Sequence, residues 1–195
     1  KDQYTLQVSD VYGLKIALMR AENELTVAGA VEPEGYTVSA YVGALATPDA
    51  EFGTYATTGA TVSIQTEDGT QISAVTDSTG KFVLENVPNG TYEATITYKY
   101  GFTRTFTIVV NGADVESDTM VGIVGCNWDG NEDISVGDFT VYVNNLGVNS
   151  SNDNYDVGID VDLSGDIAVG DMTNYMNFMG MNTGSVQYHD TTIQN

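Results

Sequence analysis

One stretch of this chain is written twice. Ile134-Ser-Val-Gly-Asp-Phe-Thr-Val-Tyr-Val-Asn144 returns, 33 residues later, as Ile167-Ala-Val-Gly-Asp-Met-Thr-Asn-Tyr-Met-Asn177. Ahead of each copy, Asp, Asn and Ser recur at every second position. A repeat of this kind marks one supersecondary unit used twice. Residues 127–171 must therefore fold as two related loop–helix units, and the rest of the chain has to accommodate them.

The second unit reads Asp160-Val-Asp162-Leu-Ser164-Gly165-Asp166-Ile167-Ala168-Val169-Gly170-Asp171. An EF-hand-type loop takes oxygen ligands from positions 1, 3 and 5, a backbone carbonyl at 7, a water at 9 and a carboxylate at 12. These fall on Asp160, Asp162, Ser164, Asp166 (backbone), Ala168 (through water) and Asp171. Gly165 stands at position 6, where a sharp turn needs a positive φ. Hard carboxylates and a hydroxyl select Ca²⁺ over softer metals, which would want His or Cys. Ile167, at position 8, is expected to point inward and pair with its counterpart Ile134. The first unit offers Asn127, Asp129, Asn131, Asp133 and Asp138. Glu132 sits where glycine belongs. Either that residue is strained, or the loop carries an insertion and uses other ligands, such as the Asp133 side chain. Asp/Asn/Gly runs also serve as plain turns, but two in-register copies, each followed by an apolar periodic stretch, favour ion loops. The expected cofactor is two Ca²⁺.

Charge agrees with this. The net charge is −21, and no Lys or Arg follows Arg104, although most of the candidate ligands do. Nucleic acid and anionic membrane are excluded as partners, and no apolar run is long enough for membrane insertion. A region of such self-repulsion should be much less stable without metal. The hydrophobic share of 42% indicates a folded chain. The lone Cys126 allows no internal disulfide, and no neighbouring His, Lys or Arg would activate it. It reads as a small buried hydrophobe at the mouth of the first loop. The single histidine, His189, lies in a polar tail over 185–195 and is assigned no chemistry. The abrupt start at Lys1 suggests a piece of something longer.

Upstream, the chain alternates. Residues 4–8, 14–18 and 25–27 read as strands, with a short helix over 14–25 as the competing reading. Further strands are expected at 36–42, 60–64, 72–76, 81–84, 92–98 and 102–110, with turns at Glu67–Gly69, Asp77–Gly80 and Val87–Gly90. Short strands at this spacing predict an all-β sandwich. Residues 111–119 read as a polar connector, with a boundary near 120 and the apolar 120–124 docking a second unit. The fold class is thus an all-β sandwich followed by a small all-α Ca-binding module with two EF-hand-like loop–helix repeats, divided as 1–120 and 121–195. Helices are expected at 139–146 and 172–179.

Two resemblances attach to these residues. Gly59-Ala-Thr-Val62, with Thr76, Asp77, Gly80, Phe82, Leu84, Val87, Pro88, Gly90 and Tyr92, resembles the small prealbumin-like sandwich of carboxypeptidase regulatory-like and B-type surface domains. Those domains are spacers and stalks. Over 121–182, two calcium loops with following helices but no entering helix resemble the dockerin module of cellulosomes. This implies an X-module–dockerin pair of a divergent, rumen-type system, secreted and held at a bacterial cell surface. The implied partner is a cohesin module of a scaffoldin or cell-wall anchoring protein. Partner choice in the family lies at loop positions 10 and 11 and on the next helix. Here these are Val136, Gly137, Val143 and Asn144, and Val169, Gly170, Met176 and Asn177. The family's common Ser-Thr pair is absent, which implies a more apolar contact.

Independently of the resemblance, Val136, Phe139, Val143, Met172, Met176 and Met179 would form an apolar stripe too large for a small unit to bury. The pseudo-twofold permits two binding orientations, but differences such as Phe139 against Met172 favour a single face. The rival reading is a calcium-stabilised surface adhesin or carbohydrate-binding protein, with Tyr92, Tyr98 and Tyr100 lining a ligand face. An enzyme is not expected. No nucleophile–base pair, catalytic metal motif or phosphate loop is present, and Gly80-Lys81 lacks the rest of a P-loop.

Overall fold

The computed structural model describes residues 35–195. The strands expected over 4–27, and the competing helix, lie outside these residues. Within them, alternating apolar residues build two facing sheets. β1 (Tyr36–Ala44) buries Val38, Ala40 and Val42 on one face. It pairs antiparallel with the short β2 (Tyr55–Ala56). β3 (Thr61–Gln65) and β4 (Gln71–Val75) form a hairpin. β5 (Lys81–Val87) returns to pair antiparallel with β1. β6 (Gly90–Thr97) joins β3, and β7 (Arg104–Val110) joins β6, so that β4-β3-β6-β7 run in order across the second sheet. Between the layers, Phe82 of β5 meets Phe106 of β7 edge to face, with ring centroids 6.3 Å apart. The Asp77–Gly80 turn is set by one carboxylate: Asp77 Oδ1 accepts from the Thr79 N–H, the Thr79 hydroxyl and the Lys81 N–H. Gly80, at φ +78°, lies so close to Val42 that a Cβ would stand 2.3 Å from its carbonyl oxygen.

Two segments depart from expectation. The polar stretch after residue 111 is a connector only as far as Asp114. β8 (Val115–Ile123) runs parallel to β1 as a member of the first sheet, so the boundary expected near 120 falls inside a strand. Its first half alternates buried Val115 with exposed acidic neighbours, which disguised it as linker. The tail is not free either. β9 (Thr192–Gln194) adds to β7 in parallel and buries Ile193 completely. Arg104 holds the tail in place. Its guanidinium, 2% exposed, donates to the carbonyls of Gly122 and His189 and to the Thr191 hydroxyl, and it lies over the Tyr188 ring.

Between β8 and β9 come α1 (Val136–Asn145) and α2 (Val169–Phe178), each starting three residues before the expected position. Their core is continuous with one end of the sandwich. Trp128, Ile134, Tyr142, Ile167, Tyr175 and Phe178 pack in one cluster with Ala44, Leu45, Tyr100 and Phe102. The unit is thus docked onto the sheets and tied to them at both of its ends.

Candidate functional site

The two loop–helix units are related by a pseudo-twofold that can be followed bond by bond. Tyr142 of α1 donates to the Ala168 carbonyl at the start of α2, and Tyr175 of α2 donates to the Ser135 carbonyl at the start of α1, each at 2.8 Å. Trp128 lies between these two tyrosines, stacked on Tyr142 at 5.9 Å and on Tyr175 at 5.8 Å. Ile134 and Ile167 both point inward and are fully buried, as expected. Their backbones do not take each other as partners, however. Ile167 pairs with Gly147 and Val148 after α1, while Ile134 pairs with Gly180 and Met181 after α2. Each loop is therefore closed by the chain leaving the other unit's helix.

In the second loop the carboxylates of Asp160, Asp162 and Asp171 converge, with ligand oxygens all within 4.8 Å of one another. Gly165 takes φ +91°, as position 6 requires. Asp160 and Asp171 are fully buried. Burial, reinforced by the Asp162 charge, holds the Asp171 carboxyl above the usual carboxylate range, against the pull of three backbone N–H donors. Asp138 in the first loop is raised for the same reason, burial first. Buried carboxylates need a compensating cation, and no Lys or Arg occurs beyond Arg104. Ser164 donates through its hydroxyl toward Asp166, and Tyr155 donates to Asp160.

The first loop reaches a similar arrangement by another route. Glu132 is not left-handed. The turn is made by Gly130 at φ +73°, the counterpart of Leu163 at φ +58°. No strain falls on Glu132, whose carbonyl accepts from Thr183 N–H at 3.0 Å. Asp138 Oδ1 accepts from the Asp129 N–H at 3.0 Å, and Asn131 donates to Asp129. The Asp133 N–H donates to Asn131 Oδ1, and the Asp133 side chain is exposed. Asn127 donates through Nδ2 to the Asn131 carbonyl, yet its Oδ1 is buried with no hydrogen-bond partner among the described residues. A buried acceptor without a donor calls for explanation, and at position 1 of such a loop a bound cation would supply one. The donor sets of both loops fit a hard divalent cation.

Gly137 and Gly170, expected on the partner face, have a second reason to be glycine. A Cβ on Gly137 would lie 2.1 Å from Asp129 Oδ2, and one on Gly170 would lie 1.8 Å from Asp162 Oδ2. The position-3 carboxylate of each loop thus occupies the space a side chain would fill. The position-12 aspartates also cap their helices: Asp138 accepts from Ser135 N–H and Asp171 from Ala168 N–H, each at 2.8 Å. Only α1 has a side-chain cap in return, from the Ser135 hydroxyl. Ala168→Ser should supply the missing acceptor and stabilise the chain by about 0.5–1 kcal/mol, read as a rise in thermal midpoint.

The helix faces turned to solvent are aliphatic. Val136 (65% exposed) and Val143 on α1 correspond to Val169 (73%) and Met176 on α2, with Leu146 and Met179 extending each row. Asn144 and Asn177 are exposed beside them. Phe139 and Met172 depart from the expected stripe: both are partly buried, and Phe139 stacks on Tyr142 and Tyr175. The faces are not equivalent in surroundings. Asn177 Nδ2 donates to the Ala46 carbonyl at 2.9 Å, so the α2 row borders the 45–54 loop of the sandwich.

Other candidates are accounted for by packing. Cys126 is buried and free, its thiol pushed up by burial. Tyr92 and Tyr100 are buried and Tyr98 half-buried, with Tyr92 bonded to the Pro88 carbonyl and Tyr98 against Tyr100. They do not form an open ligand face. His189 is exposed, with its ring 3.3 Å from the Asp49 carbonyl.

Neither a family model nor a curated protein matches the chain. Solved structures do. The chain is similar to one from a C-terminal interface mutant of a type II cohesin–X-dockerin complex of Acetivibrio cellulolyticus, at 25% identity and a TM-score of 0.55, over 77% of this chain and 99% of that one. An N-terminal interface mutant of the same complex supplies a second similar chain, at 24% identity and a TM-score of 0.49, over the same shares. The second is too distant to bear on function. The first comes from a complex between two proteins.

Proposed function

We propose that this chain is a non-catalytic anchoring module: an X-module–dockerin pair that binds a cohesin of a scaffoldin or cell-wall anchoring protein in a cellulosome at the bacterial surface. The observation that carries this is the pair of solvent-facing aliphatic rows on α1 and α2, whose helix starts are set by buried aspartates. The likeness to a chain of a cohesin–X-dockerin complex supports it. Two Ca²⁺ ions would be held by Asp160, Asp162, Ser164, the Asp166 carbonyl and Asp171, and by Asn127, Asp129, Asn131 and Asp138 with help from Asp133. They neutralise buried carboxylates and fix the helix starts, so that the apolar rows stand in a defined relation. The sandwich acts as the X module, stiffening the pair through the shared core.

The test is calorimetric binding to the type II cohesin of the Acetivibrio cellulolyticus complex and a panel of other cohesins. The variants are Val169→Asp with Met176→Asp, and Val136→Asp with Val143→Asp. An uncompensated charge in the buried centre of an interface costs about 3–5 kcal/mol. At least one pair should therefore weaken binding more than about tenfold while the Ca²⁺-induced rise in melting temperature persists. Unchanged affinity in both pairs and in their combination would remove the helix faces from the interface.

A further inference from the structure

The turn joining β6 to β7 belongs to the sandwich, yet it lies against both ion loops. The Tyr100 carbonyl accepts from the Asn127 N–H at 3.0 Å. Asn127 is position 1 of the first loop and carries the buried Oδ1 that has no partner among the described residues. The Tyr100 hydroxyl donates to Asp156 Oδ2. Asp156 in turn accepts from Gly158 N–H and, through its carbonyl, from Ile159 N–H, each at 3.0 Å. That turn delivers the chain into Asp160, position 1 of the second loop. The Tyr100 ring fits only because residue 158 is glycine: a Cβ there would stand 2.2 Å from Tyr100 Cδ2. Trp128, position 2 of the first loop, closes the circuit by donating from Nε1 to the Gly158 carbonyl at 3.0 Å.

From this closed path we infer that Tyr100 is a positioning residue that couples the two Ca²⁺ loops, so that filling the second loop orders the first and raises its affinity. The inference rests on the calcium reading above. The second loop has three converging carboxylates, whereas the first relies on Asp129 and Asp138 with amide oxygens and the exposed Asp133, so the second should fill first. Ordering the Asp156–Asp160 turn then fixes Tyr100 and Trp128, and with them Asn127. A first ligand that meets part of the ordering cost lowers the cost for the next, and linkage makes the effect reciprocal.

Trp128 is the only tryptophan; it lies in the first loop and bonds to Gly158 of the second unit, so its emission follows both loops, and Asp129→Ala, which disables the first loop, gives the second loop's share. The experiment titrates Ca²⁺ alone into the metal-free chain, following Trp128 emission and heat. It uses the parent and Asp162→Ala, which disables the second loop, each with and without Tyr100→Phe or Gly158→Ala. Tyr100→Phe cuts the bond to Asp156 but keeps the ring; Gly158→Ala displaces the ring. Disabling the second loop should weaken the Trp128-reported site at least fivefold, the lower end of measured couplings. That ratio should shrink to below about twofold in at least one of the Tyr100→Phe and Gly158→Ala backgrounds. A role for Tyr100 in packing alone would lower stability and leave the ratio intact. An unchanged site after Asp162→Ala, or a ratio that survives both variants, overturns the inference. A parent that shows neither heat nor a Trp128 response overturns the calcium reading itself.

Discussion

Trp128→Ala is expected to cost about 3–5 kcal/mol, the range for emptying a large aromatic site. The side chain is buried, stacked between Tyr142 and Tyr175, and bonded to the Gly158 carbonyl. Both tyrosines it stacks on are tied to the opposite helix start, which restrains them from moving in to fill the space. Domains of this size are stable by only about 5–15 kcal/mol, and the loss should leave residues 127–182 poorly ordered while the sandwich core persists. Urea unfolding in excess Ca²⁺, followed by circular dichroism, measures it. Trp128→Phe should cost less, because the stack survives and only the Gly158 carbonyl is left unpaired. A cost below about 1 kcal/mol for the alanine variant would mean that this residue does not organise the pair.

With the two proposed Ca²⁺ sites filled, removal of the ions by a chelator is expected to have the second large effect. An ion present at a thousandfold excess over its Kd contributes about 4 kcal/mol per site, so losing both sites is comparable to the stability of the whole chain. Proton uptake should compete with the ions. Burial raises the folded-state carboxyls of Asp138 and Asp171 above their unfolded values. In the metal-free chain, the cost of holding these groups ionised is full at neutral pH and disappears as pH falls through the carboxylate range. For these two groups, acidification therefore favours the metal-free fold. Bound Ca²⁺ needs the ionised forms, so the melting-temperature gain from added Ca²⁺ should be largest at neutral pH and shrink in the same acid window. Calorimetric scans across pH, with and without Ca²⁺, measure both trends. A gain independent of pH would detach Asp138 and Asp171 from the ion sites.

Much of this architecture was legible because its determinants are local. The 33-residue offset matches Ile134 to Ile167, both fully buried, and the loop spacing singles out Asp160, Asp162 and Asp171, whose carboxylates converge. The strands from β3 to β7 follow turn residues and period-two alternation, both of which act within a few positions. What escaped depends on distant chain. β8 opens with acidic residues whose only reason to be extended is the parallel edge of β1, and β9 is three residues recruited by β7. Nothing in Thr192-Ile193-Gln194 announces a strand, and the Arg104 clamp that seats it joins residues 85 and more positions apart. The expected helix starts at 139 and 172 fall late because Val136 and Val169 are exposed and break the inward apolar pattern, and the capping bonds of Asp138 and Asp171 emerge only in the structure. The roles of Gly137 and Gly170 were hidden for a similar reason: the carboxylates they make room for belong to the far end of each loop.

The most direct test of the account is calorimetric titration of the whole chain against type II cohesins, in Ca²⁺ and again in excess chelator. Tight binding, nanomolar or better, that vanishes with the chelator and returns with Ca²⁺ is the predicted result. A chain that is stabilised by Ca²⁺ yet binds no cohesin would contradict it and leave the ions a purely structural role.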